Sequence, residues 1–238
     1  MRILILGYGK MGKAIEEIAE DRGHTIAHKI NINNTQALKF IDSSEIDVAI
    51  EFSEPDAAFE NISYCLTNNI PVLSGTTGWL SKKDEVDELC LKNDGAFFYA
   101  SNFSPGVNLF FKLNEILAQM MEQHPGYKTK ITEIHHTEKL DSPSGTAITL
   151  AEELVRNLSS KNSWLNEPSD DEAVVPIVSE REENVPGTHI IKYISEVDEI
   201  EIKHTAKSRT GFALGAVLVA EWILDKKGVL SMKDFMKF

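Results

Sequence analysis

Cysteine is nearly absent from this sequence. Cys65 and Cys90 are the only two in 238 residues, and no C-x-x-C pair joins them. That excludes a disulfide-stapled secreted scaffold and leaves two reduced thiols in helical segments, as expected in the cytoplasm. Long apolar runs are missing as well. The run ILIL at residues 3–6 is too short for a secretory signal, and Gly211 to Leu224 carries Glu221 and falls short of a membrane span. Basic charge is scarce: 24 Lys and Arg against 37 Asp and Glu give a formal net charge of −13. No general nucleic-acid binding and no membrane partner are expected from such a chain. Internal repeats and low-complexity tracts are also lacking.

What is present alternates. Ile3 to Leu6 reads as a strand buried on both faces, followed by the glycine loop GYGKMG (Gly7 to Gly12) and the helical AIEEIAED. HTIAHKI, Asp47 to Phe52, Pro71 to Leu73 and Ala96 to Tyr99 read as further strands, with helices over Asp56 to Asn68 and Ser81 to Lys92 between them. Strand and helix in turn predict α/β architecture, an N-terminal Rossmann-like doubly wound parallel sheet. After Phe103 the pattern changes. Asn108 to Gln123 is a long helix with Leu109, Leu113, Ile116, Leu117 and Met120 on one apolar stripe. Lys128 to His136 alternates like a strand, and Thr146 to Leu158 is a helix with Ala147, Leu150, Ala151, Leu154 and Leu158 on one face. Ser160 to Asp171 reads as a polar loop. Three alternating runs follow, VVPIVSERE, THIIKYIS and EIEIKHTA. They predict a second, α+β domain with a mostly antiparallel sheet. The expected division is 1–103 with 208–238 for the dinucleotide-binding domain, and 104–207 for the second, the Gly211–Leu224 helix packing back onto the first.

The glycine loop has the dinucleotide pattern G-x-G-x-x-G. Gly7 allows the tight turn, Gly9 lets backbone approach a pyrophosphate, and Gly12 lets helix and strand pack closely. Tyr8, Lys10 and Met11 share the loop. The next strand would end in a carboxylate for the ribose of NAD, but here it ends His28-Lys29-Ile30-Asn31. Lys29 suits a 2′-phosphate, so the reading is NADPH, NADH or both, leaning to NADPH; the alternative is a solvated surface lysine. GTTGW places Gly75, Thr76 and Thr77 at the same sheet edge, where they could meet a nicotinamide amide or form an ordinary turn.

The densest chemistry lies in EIHHTEKLDSPSGTA, Glu133 to Ala147. Adjacent histidines on a strand point to opposite faces and have no H-x-x-x-H companion, so no metal is expected. Ser144 lacks a G-x-S-x-G elbow, which disfavours a nucleophilic hydrolase. An acid–base centre suits the residues better: a histidine to give a proton, a lysine to hold an anion, and a Ser-Gly-Thr helix start to bind a carboxylate. The plainer reading is a Ser144 helix cap beside surface histidines.

The stretch resembles the signature of the dihydrodipicolinate reductase family. GYGKMG, EFSEP, GTTGW, ASNFSPGVN (Ala100 to Asn108) and KSRTGFALGAV (Lys207 to Val217) are similar to that family's motifs in the same order. The resemblance implies NAD(P)H-dependent reduction of 4-hydroxy-tetrahydrodipicolinate (dihydrodipicolinate), a small cyclic dicarboxylate, to tetrahydrodipicolinate in lysine and diaminopimelate biosynthesis. By position it implies His135 as proton donor with Lys139 as catalytic partner. It implies His136, Ser144, Gly145, Thr146 and Arg209 as substrate contacts. Gly7 to Gly12, Gly75 to Thr77, and Ala100, Ser101, Asn102 and Phe103 would hold the cofactor; the second domain would be the substrate-binding and oligomerisation domain, and the family usually forms homotetramers through its sheets. Three features depart from the family: His28-Lys29 where many members carry an acid, a chain short for the family, and the individual 160–171 loop. Another two-domain Rossmann dehydrogenase and a dinucleotide-sensing protein are the alternatives.

Overall fold

Alternate residues of β1 (Arg2–Leu6) enter two different cores, and this organises the first half of the molecule. The computed structural model describes residues 1–208 and 210–238. These fall into two units, one of 1–105 with 210–238 and one of 106–209.

In the first unit β1 is followed by α1 (Lys10–Asp21), β2 (Thr25–Ile30), β3 (Val48–Glu51), α2 (Pro55–Thr67), β4 (Val72–Ser74), α3 (Lys83–Lys92) and β5 (Ala96–Tyr99). The strands pair in parallel in the order β11-β5-β4-β3-β1-β2, where β11 (Gly228–Leu230) arrives from the end of the chain. Ile3, Ile5, Ile50 and Phe98 pack with α1 and with α6 (Thr210–Ile223). Leu4, Leu6, Val72 and Phe97 pack with α2 and α3 on the other face. Burial of both faces is why these strands read as unbroken apolar runs. Helix α6 does return to this sheet: Arg22 of α1's C-terminal end holds Glu221 at 2.8 Å, and α7 (Met232–Met236) adds Met232 to the same core. Cys65 and Cys90 are free and buried.

The second unit contains most of α4 (Pro105–Met121), then β6 (Lys128–His135), α5 (Gly145–Asn157), β7 (Ser163–Leu165), β8 (Val174–Arg181), β9 (Gly187–Ile194) and β10 (Glu199–Ala206). Its sheet has the order β10-β9-β6-β8-β7. The two antiparallel pairings, β10 with β9 and β9 with β6, run longer than the parallel pairings of β8 with β6 and β7. The expected face of α5 packs on this sheet through Ala147, Leu150, Ala151, Leu154 and Leu158.

Two expectations are corrected. The 160–171 segment is not all loop, because Ser163–Leu165 adds edge strand β7 beside β8. The apolar stripe of α4 faces outward: Leu109, Leu113, Ile116 and Met120 are exposed, and only Leu117 joins the core in part. The helix instead buries Phe110, Asn114, Ala118 and Met121. Asn114 is tolerated there because its amide donates to the Leu150 carbonyl at 3.1 Å and to Glu153 at 3.0 Å, so no polar donor is stranded.

Candidate active site

Strand β6 buries Thr129, Ile131, Glu133 and His135 and turns Ile134 the other way, the period-two alternation of a strand. Sheet register then assembles a polar cluster. Glu133 lies opposite His189 on β9 and beside Ser179 on β8, and His135 lies beside Arg181. The Glu133 carboxylate, fully buried, accepts from the Ser144 amide at 3.1 Å and from Ser179 Oγ at 2.7 Å. Arg181 approaches it at 3.5 Å and also donates to the Asp141 carbonyl at 2.8 Å. Nδ1 of His135 stands 3.2 Å from its second oxygen and His189 Nε2 3.8 Å. Burial works to raise the Glu133 pKa, but the donors of His135, Ser144 and Ser179 outweigh it and hold the group well below the usual carboxylate range. Burial, reinforced by the charge of His135, pushes His189 down to about 3, so its ring is neutral.

The turn after β6 carries Lys139, whose Nζ donates to both Asp141 oxygens at 2.7 Å. Burial opposes ionisation of Asp141, and Lys139 more than offsets it, keeping that pKa low. Ser144 caps α5: its Oγ accepts from the Ala147 amide at 3.2 Å and lies 3.1 Å from His189 Nε2. Its hydroxyl thus serves the helix cap and His189. The amides of Gly145 and Thr146 come before the first intrahelical bond and form the positive end of the helix dipole. Nothing lies within 4 Å of where a Gly145 side chain would begin. An open depression of about 460 Å³ beside His136 is walled by Glu138, Glu183 and Pro186. Arg209 lies outside the described residues.

Glu133, His135 and His189 offer ligand atoms within 4.8 Å of one another. The same carboxylate serves Ser144, Ser179 and Arg181, so the donors are already organised as an acid–base cluster. His189, Arg181 and Ser179 escaped sequence reading because only register brings them to β6. Isolated polar residues on alternating strands carry no signal of their own.

In the first unit, a cleft of about 340 Å³ is lined by Gly7, Tyr8, Gly9, Ile30, Phe52 and Glu54. Gly7 has φ +97°, and a side chain there would strike the Phe52 carbonyl; one at Gly12 would strike the Gly7 carbonyl. The first turn of α1, with Lys10 and Met11, starts at Gly9 without a side-chain cap, so its amides are presented at the cleft. A dinucleotide fits this loop. Lys29 is not simply solvated: its Nζ holds Glu16 at 2.8 Å and sits over the Tyr8 ring, and Tyr8 donates its hydroxyl to Glu16.

At the adjoining sheet edge, buried Glu51 accepts from Ser53, from Ser74 at 2.6 Å and from Thr76 at 2.9 Å. The Thr76 hydroxyl is therefore taken, while Thr77 is exposed and Gly75 packs under the Phe52 ring. After β5, Ala100 is buried, Ser101 is exposed, and Asn102 accepts from the Ser104 amide at 2.9 Å. Phe103 is buried against Phe52 and Phe98 with the core. Its side chain and the Thr76 hydroxyl serve the framework of the sheet edge, beside the backbone groups of the same residues.

Family models described as dihydrodipicolinate reductase, N-terminus, and dihydrodipicolinate reductase, C-terminus, match residues 1–103 and 106–236. The chain belongs to the dihydrodipicolinate reductase family. A 4-hydroxy-tetrahydrodipicolinate reductase from Christiangramia forsetii is 54% identical over 99% of this chain and 98% of its own length. One from Thermosipho africanus is 36% identical over 100% and 98%. Among solved structures, a dipicolinate-bound dihydrodipicolinate reductase from Paenisporosarcina sp. TG-14 shares the fold, with TM-score 0.78, 23% identity and 99% of both chains covered. An amine dehydrogenase from Mycobacterium smegmatis shares it at TM-score 0.63 and 9% identity, over 98% and 95%. This chain thus carries both halves of the family's plan, with a strand-end histidine in the second.

Proposed function

We propose that the chain is a 4-hydroxy-tetrahydrodipicolinate reductase, an oxidoreductase of lysine and diaminopimelate biosynthesis that uses NAD(P)H. The observation that carries this reading is the 54% identity to a reductase of that name along 99% of the chain. NAD(P)H, when bound, supplies hydride to the ring carbon of the substrate. The protein's part is to bind, orient and protonate. His135, buried at the end of β6, gives the proton that completes the reduction, because histidine exchanges protons near neutral pH. Lys139 supplies fixed positive charge close by. One substrate carboxylate sits on the Gly145 and Thr146 amides at the start of α5, and His136 holds the other. Arg209 is a further anion contact.

The cofactor lies on the glycine loop and the uncapped start of α1, with NADPH preferred over NADH. Lys29 at the end of β2 and the lack of a carboxylate there support the preference, and Glu16 moderates it. A cytoplasmic homotetramer is proposed as well. Free Cys65 and Cys90 fit a reducing compartment, and β10 has no fully buried residue, with Val197 and Ile200 exposed near it.

A thermal-shift experiment tests the substrate class. Pyridine-2,6-dicarboxylate, a planar mimic of the product, should raise Tm in the presence of NADPH beyond the effect of NADPH alone. Protection by cofactor only would overturn the dicarboxylate assignment.

A further inference from the structure

We infer that Glu133 is a positioning residue for the proton donor: its carboxylate takes the Nδ1–H of His135 and leaves Nε2 as the nitrogen that carries the transferable proton. This rests on His135 being that donor. Nδ1 of His135 is buried and makes no hydrogen bond of standard geometry among the described residues, and the Glu133 carboxylate stands 3.2 Å from it. A buried ring N–H needs an acceptor, and which ring nitrogen is protonated follows from the bond the other makes. The carboxylate itself is immobile, because Ser144, Ser179 and Arg181 hold it from α5 and β8. His189 packs edge-on against His135, ring centres 5.1 Å apart at 73°, and fixes the ring plane. The opposite nitrogen is left room: a side chain at residue 187 would begin 3.1 Å from His135 Nε2, and that residue is glycine.

The same carboxylate holds the Ser144 amide, so one buried charge aligns both the donor and the start of α5 where the substrate carboxylate binds. Charged and titratable groups around His135 come from every neighbouring element: Glu133 on β6, Arg181 on β8, His189 on β9, His204 on β10, and Lys139 with Asp141 in the turn. Glu133 is the anion in contact with the ring.

Glu133→Gln keeps the shape and one acceptor but removes the charge. It should lower kcat by about 100-fold, the low end of a general-acid contribution. It should also move the alkaline limb of the pH–kcat profile to lower pH, because the donor must be protonated and has lost its counter-charge. In wild-type protein, ¹⁵N NMR of the His135 ring should find the proton of the neutral form on Nδ1. A neutral ring with bare Nδ1 overturns the inference without any variant, which covers the case of Glu133→Gln failing to fold. A folded Glu133→Gln enzyme with kcat within about twofold of wild type and an unmoved limb overturns it too. Wild-type protein unable to reduce the substrate at all would instead sink the proposed function, and the NMR result would still decide how Glu133 holds the ring.

Discussion

His135 and His136 are neighbours in sequence but differ in setting: His135 ends β6 and is buried, while His136, just beyond the strand, is half-buried. His135 is buried beside Glu133, and His136 borders the open depression. His135→Gln should therefore lower kcat by about 10²–10⁴-fold. His136→Gln should chiefly raise KM for the dicarboxylate, as expected when a binding contact is lost without loss of chemistry. Steady-state kinetics of the two variants side by side separates them, and near-wild-type turnover in His135→Gln would sink the assignment. Lys139→Ala should harm turnover comparably. Lys139 is held in an ion pair with Asp141, in a turn that Arg181 also holds through the Asp141 carbonyl.

Individual elements show what a sequence can and cannot reveal. The glycine loop and the apolar face of α5 were legible because each is a local pattern with one structural solution. The α4 stripe was misleading for the opposite reason: periodicity gives a helix and its apolar face, not which neighbour covers it. Burial there went to Phe110 and to Asn114, whose amide found partners on α5. The polar cluster around Glu133 needed the pairing of β6 with β8 and β9, information carried by no single segment. At the end of β2, Lys29 was visible but its partner Glu16, a helix away, was not. The pair makes a prediction. Lys29→Ala should raise KM for NADPH roughly three- to tenfold, the worth of about 1 kcal/mol of charge-assisted contact, with little change for NADH. Glu16→Gln, which frees the ammonium, should lower KM for NADPH. Equal effects on both cofactors would show that Lys29 does not read the 2′-phosphate.

At the scale of the whole molecule, two buried glutamates perform the same task. Glu51 ties the loops at the carboxyl edge of the parallel sheet, and Glu133 ties those of the mixed sheet. Each is an ionisable group committed to a fold-wide network, and the second makes stability depend on pH. His189 titrates near 3 in the folded protein against 6.5 when exposed. A lowered histidine pKa means that the unfolded chain binds the proton first, so stability is lost as pH falls below about 6.5. Glu133 acts in the same sense but later: its folded pKa is depressed, so its contribution is complete above about 4.3 and fades only below that. Between pH 6.5 and 5 the histidine alone accounts for at most about 2 kcal/mol, at about 1.4 kcal/mol per pH unit. His189→Gln removes that linkage while keeping a polar group near Ser144. Thermal unfolding of both proteins at pH 7.5 and pH 5 should show wild type losing more Tm on acidification than the variant. Parallel losses would mean that His189 is not held neutral in the folded protein, and that the cluster around Glu133 carries more positive charge than its geometry gives it.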